Sequence, residues 1–248
     1  MSSNRPRPLV NIGTIGHSGH GKSILTSAML VTLGKTYGRT AAPADGQCQN
    51  EKHGESVVHY ETTTRRYAHF DCTGDTFQMI PAALHLDAAI LVVAATAGPE
   101  QQTREAIQLA KGLGVRYIVV CLSKCDLRVD EEELELVGME VRVLLSQYDY
   151  PGDDTPIVIV SGLKALSGDP ESEAKIIELA GHLDNYVPEP ELPSGTSPQD
   201  RFDAEVSMPG GGEPTKDTQA VEFSFRYEYS PVAGSIQLMD RGQDKSPE

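Results

Sequence analysis

Apolar and polar positions change rhythm repeatedly along this chain, and the rhythm predicts its elements. Residues 9–15 (LVNIGTI) read as a buried strand, and 22–34 carry Leu25, Ala28, Met29 and Leu33 at helical spacing. Residues 36–56 are polar and contain Gly38, Pro43, Gly46 and Gly54, so they read as a long loop. Val57, Val58 and Tyr60, then Tyr67, Ala68 and Phe70, predict two strands around a turn at 62–66, with Asp71 closing the second. The near-continuous apolar run at 88–97 (AAILVVAATA) marks a strand buried on both faces, and 115–122 (VRYIVVCL) marks another. Residues 100–113, 130–147 and 171–186 read as helices, and 156–160 (PIVIV) as a further strand. The helix at 130–147 aligns Leu134, Val137, Val141, Leu144 and Leu145, and its acidic start suits a helix N-terminus. Strands alternating with helices predict a doubly wound, mostly parallel α/β sheet with helices on both faces.

The pattern breaks after Tyr186. Residues 187–200 are rich in proline and polar residues and read as a linker. Residues 220–229 alternate cleanly, with Val221, Phe223, Phe225, Tyr227 and Tyr229 on one face. That is a half-buried strand, and Ile236 and Leu238 would begin its hairpin partner. The expected organisation is a nucleotide-binding domain at 1–188, a linker at 189–200, and a short β segment with a disordered tail at 201–248.

Composition narrows the class. Of the 248 residues 39% are hydrophobic, which suits a globular protein with a full core. No run approaches the ~18 apolar residues that span a bilayer. The N-terminus has no signal-like apolar core, so no membrane partner and a cytoplasmic location are expected. Cys48, Cys72, Cys121 and Cys125 form no C-x-x-C pair, so neither a zinc site nor a disulfide framework is indicated. A net charge of −15 argues against a general nucleic-acid-binding surface.

The candidate chemistry begins at Gly16, His17, Ser18, Gly19, His20, Gly21, Lys22 and Ser23, which fit G-x-x-x-x-G-K-[ST] between a predicted strand and a predicted helix. Glycines let backbone N–H groups turn inward around a phosphate, and the helix N-terminus adds donors and a positive dipole end. Lys22 would reach the β/γ-phosphates and Ser23 Oγ would ligate Mg²⁺. The bland alternative is a glycine-rich turn before a helix, but motif and context agree. Asp71, Cys72, Thr73 and Gly74 end a strand, with Asp71 placed for Mg²⁺ and the Gly74 N–H for a γ-phosphate. Ser123, Lys124, Cys125 and Asp126 resemble the guanine-reading N-K-x-D, in which the carboxylate accepts from guanine N1–H and the exocyclic amine. Ser161, Gly162 and Leu163, with Lys164, resemble the loop that sets a backbone N–H near guanine O6. Four such motifs in order at strand ends point to a guanine-nucleotide (GTP/GDP) domain, with Lys22, Asp71 and Gly74 as candidate catalytic groups and Ser23 and Asp71 as metal ligands.

Long stretches then carry a resemblance. VNIGTIGH with HGK, TTRRYAHFDC, DAAILVVAATAGPEQQTRE, GVRYIVVCLSKCDL and ELELVGMEVRVLLSQYDYPGDDTPIV resemble the bacterial elongation factor Tu family of translational GTPases. So does LKALSGDPESEAKIIELAGHLDNYVPEPE, and the tail from Arg201 is similar to the start of that family's third domain. The resemblance implies a P-loop GTPase fold, GTP and GDP with Mg²⁺, and the ribosome or a nucleotide-exchange factor as partners. The departures are specific. The family's second domain has no counterpart, and the third is a short fragment of an incomplete barrel. Gly19 stands for the loop aspartate, Ser23 for a threonine and Ser123 for an asparagine. The second Mg²⁺-ligating hydroxyl has no clear counterpart around Gly54, Glu55 and Ser56. Asp75 occupies the place of the water-orienting histidine, and Pro81 falls inside the helix that would follow. His17 and His20 are expected to pack or hydrogen-bond within the loop, whereas His53, His59, His69, His85 and His182 are read as structural or surface.

These departures lead to an expectation of GTP binding with at most slow hydrolysis. Aminoacyl-tRNA delivery is not expected, since one wall of its pocket belongs to the second domain. The alternatives are a non-hydrolysing nucleotide-binding regulator or decoy, or a decayed duplicate.

Overall fold

The computed structural model describes residues 7–38, 49–50, 55–72, 86–127, 130–190, 227–230 and 235–238. Its first compact unit spans Met1–Met208 and its second Pro209–Glu248. In the first unit the described elements are β1 (Leu9–Ile15), α1 (Lys22–Tyr37), β2 (Gln49–Asn50), β3 (Glu55–Glu61), β4 (Arg66–Cys72) and β5 (Ala88–Ala94). They continue as α2 (Gln101–Gly112), β6 (Tyr117–Ser123), α3 (Glu131–Gln147), β7 (Ile157–Val160), α4 (Gly162–Leu166) and α5 (Pro170–Tyr186).

The strands form a seven-stranded sheet in the order β2-β3-β4-β1-β5-β6-β7. β4, β1, β5, β6 and β7 run parallel, while β3 pairs antiparallel with β4 and β2 with β3. This is the doubly wound, mostly parallel architecture that the patterning predicts. Strand β5 shows why its sequence is apolar throughout. Ala89, Leu91 and Val93 pack into one core with Ile107 of α2 and Val141 and Leu144 of α3. Ala88, Ile90 and Val92 pack into the other with Leu25 and Met29 of α1 and Ile176 and Leu183 of α5. Successive side chains leave opposite faces of the strand, so covering both faces demands an unbroken apolar run.

Local signals set the helix ends. Gly38 adopts a left-handed conformation (φ 69°) and stops α1, three residues beyond the sequence-based boundary. Asp130 caps α3 by accepting from the Glu133 N–H, and Glu131, Glu132 and Glu133 occupy its first turn. Asp169 caps α5 in the same way, ahead of Pro170. The apolar run at 88–97 is shorter as a strand than read, because residues after Ala94 turn: Gly98 N–H donates back to the Ala94 carbonyl oxygen.

In the second unit β8 (Tyr227–Ser230) and β9 (Ser235–Leu238) pair antiparallel, with Tyr229 opposite Ile236 and Tyr227 opposite Leu238. This is the expected hairpin. The alternation over 220–226 lies outside the described residues, as do the 36–56 loop beyond Gly38 up to Gln49, Gly54, and Pro81 with its expected helix.

Candidate functional site

Because β1, β4, β5, β6 and β7 are parallel, their carboxyl ends lie along one edge, where ligands of such sheets bind. The loop after β1 is the centre of this edge. Gly16 has φ 130°, and a Cβ there would fall onto the Val92 carbonyl oxygen of β5, so backbone approach fixes glycine at this position. Gly21 (φ 92°) forms the N-cap of α1 without a side-chain cap. The first N–H groups of α1 are thus left to a ligand rather than to a capping hydroxyl. Ser18 and Gly19 are exposed at the loop's apex, whereas His20 is buried.

Lys22 begins α1, with 7% of its surface exposed. Its Nζ donates to the carbonyl oxygens of Gly16 and His17, each at 3.0 Å, and so lies folded across the loop. A cation held there matches an anionic phosphate in the cradle. Ser23 sits exposed on the first turn of α1. Asp71 near the end of β4 is 4% exposed and pairs in register with Thr14, whose Oγ1 donates to Asp71 Oδ1 at 3.1 Å. A serine hydroxyl and a carboxylate are hard oxygen donors and fit Mg²⁺. Cys72 ends β4, while Thr73, Gly74 and Asp75 lie outside the described residues.

The loop is gripped from two sides. At the end of β6, Ser123 Oγ donates to the His20 carbonyl oxygen at 2.6 Å and lies 3.3 Å from the Val93 carbonyl oxygen. At the start of α2, Gln102 Oε1 accepts the Ser18 N–H at 3.0 Å, and Glu100 Oε1 meets His20 Nε2 at 3.0 Å. His20 Nδ1 accepts the Ala94 N–H at 3.2 Å, so the proton of the neutral ring sits on Nε2 and donates to Glu100. Burial pushes the His20 ring below its ordinary value, against the raising effect of Glu100. The same bond holds the Glu100 carboxyl low. The expected role of His20 in loop hydrogen bonding is therefore met.

Beside the loop lies a pocket of about 150 Å³ lined by Gly21, Ser123, Lys124, Asp126, Gly162 and Leu163 among others. Lys124 takes a positive φ of 59°. Ser161 Oγ donates to Asp126 Oδ1 at 2.6 Å and also caps α4 by accepting the Lys164 N–H. The two motifs that resemble guanine-reading segments are thus joined by a hydrogen bond and share one pocket with the phosphate loop. Cys125 is half-buried, and burial, then Asp126, push its thiol up, which keeps it protonated.

Sequence reading missed Thr14, Glu100 and Gln102. No local motif marks them. The β1–β4 register pairs Thr14 with Asp71, and the sheet order, which sets the end of β5 beside the end of β1, brings Glu100 and Gln102 to the loop. It also missed α4, whose five residues are too few to show a period. His69 is fully buried, as a structural histidine should be, and His182 is partly exposed 4.0 Å from Glu178. His53 and His85 lie outside the described residues.

The family model described as elongation factor Tu GTP binding domain matches residues 7–189, from just before β1 to just past α5. The match covers the whole sheet and every loop on its ligand edge. This chain therefore belongs to the elongation factor Tu GTP-binding domain family, and is a GTP-binding protein of the translational GTPase kind.

Proposed function

We propose that the chain binds GTP and GDP with Mg²⁺ in the manner of bacterial elongation factor Tu, hydrolyses GTP slowly, and does not deliver aminoacyl-tRNA. The observation that carries this reading is the single ligand edge. There Lys22 lies across the phosphate loop while Asp126, fixed by Ser161, lines the adjoining pocket. In this reading Gly16, His17, Ser18, Gly19, His20, Gly21, Lys22 and Ser23 surround the phosphates. Asp126 accepts from the guanine N1–H and amine, and the Lys124 stem covers the ring. Gly162 and Leu163 lie beside the base, and Ser123 and Cys125 complete the segment. Ser23 and Asp71 would hold Mg²⁺, which when bound neutralises charge on the phosphate oxygens.

Phosphoryl transfer needs charge stabilisation and a positioned water. Lys22 supplies the first. For the second, the family's histidine position carries Asp75, whose anion beside a developing phosphate charge is a poor substitute, and slow hydrolysis follows. Residues 1–188 act as the nucleotide-binding domain, 189–200 as linker and 201–248 as a fragment of a barrel. In this reading the linker runs straight into residues similar to the family's third domain, so no segment of these 248 residues supplies the wall that would hold an aminoacyl ester. Ribosome or exchange-factor contact is retained as part of this reading. Among the described residues no helix is long and apolar enough to cross a membrane.

The test is equilibrium binding of GDP, GTP and ADP with Mg²⁺, followed by single-turnover hydrolysis with and without ribosomes. Guanine preference with slow, weakly stimulated turnover is expected. Equal affinity for ADP and GDP, or a ribosome-stimulated rate matching a full-length elongation factor, would refute it. Protection of an aminoacyl ester at micromolar protein would refute the part concerning tRNA.

A further inference from the structure

His17, His20 and Glu100 bring three potential ligand atoms within 4.8 Å of one another, the composition of a metal site. The hydrogen bonds point elsewhere. A metal-bound histidine almost always donates through its other ring nitrogen. His20 does the opposite, because its Nδ1 accepts the Ala94 N–H. Its Nε2 must therefore keep a proton, and that proton faces Glu100 Oε1 at 3.0 Å. His17 Nδ1 lies 2.5 Å from the Ser18 carbonyl oxygen, and its Nε2 is 3.4 Å from Glu100 Oε2. Glu100 thus hydrogen-bonds His20 through Oε1, while its Oε2 lies beside the His17 ring.

We propose that Glu100 is a positioning residue for nucleotide binding, acting through His20 to hold the phosphate loop against the end of β5, and that the hold is released by a proton. The inference rests on the nucleotide-binding reading above. The hold has three fixed points on one residue: the Ala94 N–H on Nδ1, Glu100 on Nε2 and Ser123 Oγ on the backbone oxygen. His20 is only one residue from Gly21 and two from Lys22, so its ring and carbonyl set where the cradle's N–H groups point. Protonating the ring places an N–H against the Ala94 N–H, two donors facing each other in a buried setting, and the ring must leave. Among the described residues, the charged or titratable groups that act on His20 are His17 on its own loop, Glu100 at the start of α2 and Lys124 after β6. Burial opposes a positive charge there most, His17 and Lys124 oppose it further and Glu100 favours it, so taking away the Glu100 charge lowers the pH at which the loop lets go.

The experiment is GDP release from the full chain between pH 8 and pH 5, for the native protein, Glu100→Gln and Glu100→Ala. The native rate should rise about fivefold on acidification, and Glu100→Ala should release about fivefold faster at pH 8, since a charge-assisted bond is lost from a partly exposed group. Glu100→Gln keeps an acceptor oxygen without the charge, so its release should be only about twofold faster at pH 8, with the acid rise displaced to lower pH. Superimposable pH profiles for native and Glu100→Gln would overturn the proposal. A ring titration of His20 by NMR on nucleotide-free protein separates this from the functional reading. The ring should titrate at lower pH in Glu100→Gln than in the native chain, whether or not GDP binds, and an unchanged titration would overturn the clamp. Tight binding of zinc, lost in Glu100→Ala, would assign the trio to a metal and also overturn it.

Discussion

Ser123 Oγ lies 2.6 Å from the carbonyl oxygen of His20 and donates to it, across 103 residues of sequence. Resemblance places asparagine here, and in this chain the serine hydroxyl holds the phosphate loop. In the proposed reading the bond joins the segment beside the base to the loop around the phosphates, so the two halves of the site are not independent.

Ser123→Ala should therefore weaken GDP binding and the fold together. Removing the donor leaves a buried carbonyl oxygen without it, at a cost of about 1–2 kcal/mol. Urea unfolding and GDP titration of the same variant check this. A variant with native stability and native affinity contradicts it.

Asp126→Asn should relax base selectivity from guanine towards xanthine, because an amide can donate where the carboxylate only accepts. The Ser161 Oγ bond to Asp126 Oδ1 can survive through the amide oxygen, so the fold should hold. Competition of GDP and XDP, with thermal unfolding as control, gives the answer.

Gly16→Ala should destabilise the chain strongly. The added methyl meets the Val92 carbonyl oxygen of β5, at a backbone φ of 130°. Strain and overpacking of this kind cost about 2–4 kcal/mol together. The measurement is the urea midpoint, and a native value would show that β1 and β5 can separate at no cost.

His69 predicts an acid-sensitive core. It is fully buried, with Nδ1 3.0 Å from Tyr60 OH and Nε2 3.4 Å from Thr26 Oγ1. Burial pushes its ring down to about 3 from an ordinary 6.5. The folded state therefore holds the neutral ring. Its contribution is whole above pH 6.5 and is lost progressively as pH falls towards 3, by up to ~4 kcal/mol. His69→Gln should lose less stability than the native chain between pH 6.5 and pH 4. Parallel slopes in pH-dependent urea unfolding would remove His69 from the account.

The residues that sequence revealed and those it hid differ in how far their causes reach. The phosphate loop is local: a strand ending at Ile15, then three glycines, a lysine and a helix start between Gly16 and Ser23. The helix stops at Gly38 and the cap at Asp130 are local too. Glu100 and Gln102 are not. Their side chains matter because β5 is laid beside β1, and a helix beginning at Gln101 therefore faces a loop eighty residues earlier. The Thr14–Asp71 bond depends in the same way on the β1–β4 register. The exchange of family residues at Gly19 and Ser123 is visible in the sequence, but the hold of Ser123 Oγ on the loop is not.

The place of β1 in the sheet has a consequence for how the molecule assembles. β1 hydrogen-bonds to β4 on one side and β5 on the other, and both follow it in the chain. As the chain leaves a ribosome, β1 has no partner until Arg66 and later residues emerge, and its second edge waits for Ala88. The β3–β4 hairpin, closed by a short turn, can form before either. The cradle after β1 must wait longer, since its clamps come from Glu100, Gln102 and finally Ser123. The earliest-made stretch of the site therefore waits 103 residues for its last clamp, and until β4 and β5 emerge an apolar strand stands open to neighbouring nascent chains and to chaperones.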